Sequence, residues 1–250
     1  MKYKAIFLDV DGTCVVHGVD NLPSVRVVDA VTQCIQMGVP VGLATSRPLR
    51  SVIAIINHLK LTSYCVISSG SQIYDPRTSQ IVSEKLIPRE SIAQIWEIAQ
   101  KANQHVKLFD GINEVNMDQG AIPAKVMGMW FPKLEPSILL DIDEQIKQLK
   151  GVATHRMEAW EDGYDCLDIT NSEASKQHGV LDVCAMLGIQ TSECIGIGDG
   201  YNDFPLLLAC GLKIAMGNAV PELKAVADFV APTVHEDGVA TVIEKFILNG

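Results

Sequence analysis

The sequence predicts an α/β protein, a doubly wound and mostly parallel sheet flanked by helices, carrying one inserted α+β domain. Three observations predict it. Short apolar runs alternate with amphipathic helical stretches over residues 1–86 and again over 171–250. In between, over 87–170, two helices accompany hairpin-spaced strands, the pattern of an antiparallel sheet. Finally, strand after strand in the alternating part ends in polar, acidic or glycine-rich residues, at the edge where open α/β sheets bind ligands.

The first run, Ala5–Leu8, suits a strand buried on both faces. It stops at Asp9, a second carboxylate follows at Asp11, and Gly12 permits a sharp turn. Pro23 and Ser24 open a helix with Val27, Val28, Val31, Cys34 and Ile35 on its apolar face, and Gly38 closes it. A strand over 39–44 stops at Thr45-Ser46-Arg47-Pro48, and a helix follows with Val52, Ile53, Ile56 and Leu59 inward. The strand over 64–67 stops at Ser68-Ser69-Gly70, and 72–74 with 80–82 form a hairpin around residues 75–79.

The insert begins with a helix over 91–103, in which Ile92, Ile95, Trp96 and Ala99 face inward. Strands are expected at 106–109, 114–117, 125–130, 153–159 and 165–170, with a second helix over 137–149. The alternation then returns: helix 173–187, strand Cys194–Gly198, polar turn 199–202 and helix Phe204–Ala209. A strand over 213–216 ends at Gly217-Asn218, and helix 221–227, strand 229–231 and helix 239–248 complete the chain.

Composition narrows the function. Apolar residues make up 48% of the 250 positions and charged residues 20%, as in ordinary globular proteins. No apolar stretch is long enough to span a bilayer, and the N-terminus lacks a signal peptide's apolar region, so the expected location is the cytoplasm, with no membrane partner. The seven cysteines show no Cys-x-x-Cys spacing and read as reduced, buried thiols. A net charge of −10 without a basic stripe argues against nucleic acid as a partner.

Gly196-x-Gly198-x-Gly200 is not a dinucleotide loop, because Tyr201 stands where its third glycine belongs. Asp199 and Asp203 instead supply a second pair of acids. With Asp9 and Asp11 they are enough to hold Mg²⁺, a hard cation that takes oxygen ligands, and to leave one carboxyl for proton transfer. A phosphate dianion also needs a positive charge. Lys176, near the start of the helix after the insert, is the candidate, with Arg47, Lys85 and Lys213 as competitors that spacing leaves open.

These segments, in this order, resemble the haloacid dehalogenase superfamily of phosphohydrolases, and more narrowly its Cof-type branch with an α/β cap. Asp9-Val10-Asp11-Gly12-Thr13, Ala44-Thr45-Ser46-Arg47-Pro48, Lys176 with Gly179 and Leu187-Gly188, and Gly198-Asp199-Gly200-Tyr201-Asn202-Asp203 match its four motifs. Gly217-Asn218-Ala219 matches the branch's C-terminal pattern. Ser46 takes the place of a usual glycine, and Ser69 that of a usual asparagine.

The resemblance implies that Asp9 is the nucleophile, forming an aspartyl-phosphate, and that Asp11 is the general acid and base. It implies Mg²⁺ on Asp9, the Asp11 backbone carbonyl and Asp199, supported by Asp203. Thr45 and Lys176 would grip the phosphoryl group, with Gly12, Ser46 and Asn202 lining its site, and the insert would act as a lid selecting the substrate. Segments 109–116 and 156–164 are candidates to reach it, while Trp96 and Trp130 read as core of the insert. The implied activity is hydrolysis of small phosphorylated metabolites, sugar phosphates first, by a monomer or homodimer. The alternatives are a phosphosugar mutase of the same superfamily, or a phospho-acceptor protein with little turnover.

Overall fold

The structure, a computed structural model, describes residues 2–16, 22–115, 117, 122–159, 161 and 163–249. In chain order the elements are β1 (Ala5–Leu8), α1 (Val25–Gln36), β2 (Val41–Leu43), α2 (Leu49–His58), β3 (Cys65–Ile67), β4 (Gln72–Asp75) and β5 (Gln80–Glu84). Then come α3 (Arg89–Lys101), β6 (Lys107–Phe109), β7 (Glu114–Val115), β8 (Gly128–Leu134), α4 (Pro136–Ile146), β9 (Val152–Glu158) and β10 (Asp165–Asn171). The chain ends with α5 (Lys176–Leu187), β11 (Cys194–Gly198), α6 (Phe204–Ala209), β12 (Leu212–Ala215), α7 (Pro221–Val226), β13 (Phe229–Val230) and α8 (Gly238–Ile243). They form two compact units, Met1–Val82 with Lys176–Gly250, and Ser83–Ser175.

The first unit is built on a parallel sheet in the order β13-β12-β11-β1-β2. Every residue of β1 is buried, as its uninterrupted apolar run requires when helices cover both faces. Ser24 caps α1, its hydroxyl accepting from the Val27 amide at 3.2 Å, and the chain leaves that helix through Gly38 at φ +82°. An isolated parallel bridge, Ala44 to Val66, joins β3 to the edge of the sheet, and β4 and β5 extend β3 as a small sheet of their own. All seven cysteines are free thiols and buried. Among the described residues, no helix is long and apolar enough to cross a membrane.

The second unit holds the sheet β7-β6-β8-β10-β9, all its pairs antiparallel, with a core from α3, α4 and one sheet face. Its details correct two expectations. The strand expected at 125–130 runs instead from Gly128 through Pro132 to Leu134. Proline is tolerated because it lies opposite the register shift between Asp165 and Leu167, where the ladder is already interrupted. Trp130 is not core: Met129 and Phe131 point into the core, and Trp130 lies on the opposite face with the Lys107 ammonium 5.3 Å from its ring centre. Trp96 does pack against the core. Of the expected substrate-reaching segments, Asn116, Trp160 and Asp162 lie outside the described residues.

Two helix boundaries also differ. The helix expected from 173 begins at Lys176, because the Asn171 side chain draws the preceding residues into a turn, accepting from the Glu173 amide at 2.8 Å. The closing helix changes to a π-helical turn over Glu244–Leu248.

Candidate active site

The site lies at the carboxyl ends of the parallel strands. Asp9 follows β1 directly, and its amide donates to the Ile197 carbonyl of neighbouring β11 at 2.9 Å. β11 runs in register beside β1 and ends at Gly198, so Asp199 emerges next to Asp9. A short 3₁₀ turn, Tyr201–Asp203, bends Asp203 back toward the strand end, where its Oδ2 accepts from the amides of Asp199 at 2.9 Å and Gly200 at 3.0 Å. Lys176, the first residue of α5, reaches in from a distant part of the sequence. Its ammonium lies 2.5 Å from Asp9 Oδ1 and 2.5 Å from Asp203 Oδ1, and Lys176 is only 3% exposed.

Asp9, Asp199 and Asp203 thus form one cluster, with an oxygen from each lying within 4.8 Å of the others. Three carboxylates face one ammonium, and the electrostatics register the excess. Burial, then repulsion from Asp203, pushes Asp9 up to about 7, against the pull of Lys176. Burial, then Asp9 and Asp203, pushes Asp199 up to about 8. Burial alone would lower Lys176, but Asp203 and Asp9 more than reverse it, and the ammonium is held well above its usual range. An all-oxygen donor set with surplus negative charge suits a hard divalent cation.

A second group of residues surrounds this cluster. The Asp11 carboxylate, which the sequence suggested would join the other acids, is clamped by Arg47, with Nε to Oδ2 at 2.9 Å and Nη2 to Oδ1 at 2.7 Å, although its charge still acts on Asp9. Arg47 is in turn anchored by Nη1 to the Ser51 carbonyl at 3.2 Å, and its amide donates to Thr45 Oγ1 at 3.1 Å. Thr45 is buried at the end of β2. Beside it, Ser46 Oγ accepts from Asn202 Nδ2 at 3.1 Å, which ties the loop after β2 to the turn after β11. Gly12, at φ +73°, lies directly under Asp199: a β-carbon there would come within 2.0 Å of Asp199 Oδ2. Of the three competing cations Arg47 is thus at the site, on Asp11, while Lys85 donates to the Glu173 carbonyl at 2.7 Å and Lys213 lies within β12.

Two residues that the sequence reading gave no role also touch the cluster. Asn218 Nδ2 donates to the Gly12 carbonyl at 2.8 Å and to Asp199 Oδ2 at 3.3 Å, and Thr13 Oγ1 donates to Asp199 Oδ1 at 3.4 Å. The available signals were their positions, Thr13 closing the first acidic segment and Asn218 following a parallel strand, and their place in segments that match the family pattern.

Comparison with known proteins follows the same lines. A family model described as haloacid dehalogenase-like hydrolase matches residues 6–126 and 137–243. The chain is 26% identical to a 5-amino-6-(5-phospho-D-ribitylamino)uracil phosphatase of Bacillus subtilis, over 98% of this chain and 96% of that protein. It is 26% identical to a phosphoglycolate phosphatase of Methanopyrus kandleri, over 97% and 96% of the two chains. Among solved structures, the HAD subclass IIB sugar phosphatase BT4131 superposes with a TM-score of 0.80 at 20% identity, covering 97% of this chain and 98% of that one.

Proposed function

The chain belongs to the haloacid dehalogenase-like hydrolases, and from that premise we propose that it is a Mg²⁺-dependent phosphomonoesterase that works through a phosphorylated Asp9. The observation that carries this reading is the Lys176 ammonium wedged between Asp9 and Asp203, with Asp199 in the same cluster. Asp9, Asp199 and Asp203 would hold the cation, which when bound supplies positive charge to the phosphoryl oxygens.

In this reading an Asp9 carboxylate oxygen attacks phosphorus, forming a P–O bond as the bond to the ester oxygen breaks. Asp11 gives that oxygen a proton, then takes one from the water that attacks the same phosphorus and frees Asp9. Lys176 and Thr45 hold the phosphoryl group throughout, while Gly12, Ser46 and Asn202 shape its surroundings. The similar proteins named above carry phosphatase names with unlike substrates, a ribitylaminouracil phosphate, phosphoglycolate and a sugar phosphate. What those have in common is a phosphate monoester on a small metabolite, and sugar phosphates are our first choice here. The insert selects among them, and cytoplasmic metabolites are the expected pool.

Release of phosphate from a small aryl phosphate tests this directly. The wild-type protein is expected to turn it over only with Mg²⁺ present, and Asp9→Asn to lose turnover while keeping its circular dichroism spectrum. Full activity in Asp9→Asn would end the proposal.

A further inference from the structure

We propose that Asn218 is a positioning residue for the divalent cation, its side-chain amide fixing the Asp199 carboxylate in the orientation that binds metal; this rests on the metal-dependent reading of the site. Asp199 sits where three strand ends meet. Below it Gly12 leaves no room for a β-carbon, on one side Thr13 Oγ1 reaches Oδ1 at 3.4 Å, and on the other Asn218 Nδ2 reaches Oδ2 at 3.3 Å. The same nitrogen donates to the Gly12 carbonyl at 2.8 Å, so its two hydrogens serve the strand end and the carboxylate together.

The other end of the amide is fixed as well. Asn218 Oδ1 accepts from the Val234 amide at 2.9 Å, so the side chain cannot flip without losing a partner at each end. The backbone beneath it is pinned by Lys224, whose ammonium donates to the Gly217 carbonyl at 2.6 Å. Asparagine's chemistry suits the task. Its N–H supports an ionised carboxylate without adding a charge to a cluster that already holds three acids against one ammonium. Hydrogen bonds of this kind orient a metal ligand, and removing one typically costs about 10- to 100-fold in metal affinity.

Two variants separate this role from simple loop anchoring. Asn218→Ala removes the donor. Val234→Pro removes the amide that anchors Oδ1, together with the valine's packing against the core, and leaves the donor in place. Proline suits that position, the first of a 3₁₀ turn, because Thr233 before it is already extended at φ −68°, ψ 167°. Mg²⁺ alone is titrated into the full-length proteins and followed by calorimetry. Affinity is expected to fall about 10- to 100-fold in Asn218→Ala, and by clearly less in Val234→Pro. Turnover of an aryl phosphate by Asn218→Ala should recover as Mg²⁺ is raised. Unchanged affinity in Asn218→Ala, or an equal loss in both variants, would overturn the inference alone. A wild-type protein that binds no Mg²⁺ would overturn the metal reading of the site, and this inference with it.

Discussion

Asp11 differs from the other acids of the site in what it faces. Both of its oxygens are taken by one guanidinium, in the two-pronged geometry that arginine alone provides. Arg47 therefore decides where the Asp11 carboxylate points, and it is itself braced by the Ser51 carbonyl at the start of α2. If Asp11 is the group that protonates the leaving oxygen, Arg47 should matter most where that proton matters most. Arg47→Lys keeps a positive charge but loses the fork. It is expected to lower kcat/KM for an alkyl phosphate by about 10²-fold, the lower end of what general-acid assistance contributes. For a nitrophenyl phosphate, whose leaving group departs without a proton, the loss should be several-fold at most. Equal losses on the two esters would mean that Arg47 serves phosphate binding and not the acid. Nothing in the sequence paired these residues, since each stood as one more polar group at a strand end.

Among the elements, α5 carries the most consequence per residue, because its first residue supplies the only ammonium in the described acidic cluster. It is pressed hard against β3: a β-carbon on Gly179 would lie 2.3 Å from Val66 Cγ1. Gly179→Ala should be stabilising by ~1 kcal/mol on helix propensity alone. Overpacking against Val66 outweighs that, costing ~1–3 kcal/mol. Since Lys176 stands one turn before Gly179, displacing the helix should also withdraw the ammonium from Asp9, so thermal midpoint and turnover should fall together. Val66→Ala clears the space, and the double variant is expected to regain most of both losses. Strictly additive effects would show that the helix does not move as argued.

The sequence made α5 legible as a helix but misplaced its start, because a local turn at Asn171 competes with the helix. It likewise made the parallel strands and their polar ends legible, since burial on both faces leaves a clear apolar signature. It could not show that β1 and β11 would be neighbours, and that adjacency is what sets Asp9 beside Asp199. Trp130 was expected in the core of the insert, but with Met129 and Phe131 inward a strand must turn the residue between them outward.

At the scale of the whole molecule, the acidic cluster should couple stability to pH and to metal. Asp9 and Asp199, pushed up to about 7 and about 8, hold protons in the folded chain that the unfolded chain releases near its ordinary value of 3.8. The unfolded state therefore binds fewer protons over that window, and stability falls as pH rises through it. Without metal, the unfolding midpoint should drop between about pH 4 and about pH 9 and then level off, once both groups are ionised. Mg²⁺ binds the ionised acids, so its stabilisation, ~2.7 kcal/mol at a hundredfold excess over Kd, should be small near pH 5 and full above about pH 9. The −10 net charge also disfavours the compact state at high pH. Asp199→Asn provides the control, because it leaves that general repulsion nearly intact while removing one coupled acid. It should flatten the metal-free slope and abolish most of the metal increment. A Mg²⁺ increment of the same size at both ends of the pH range would mean that the ion meets other ligands than these carboxylates.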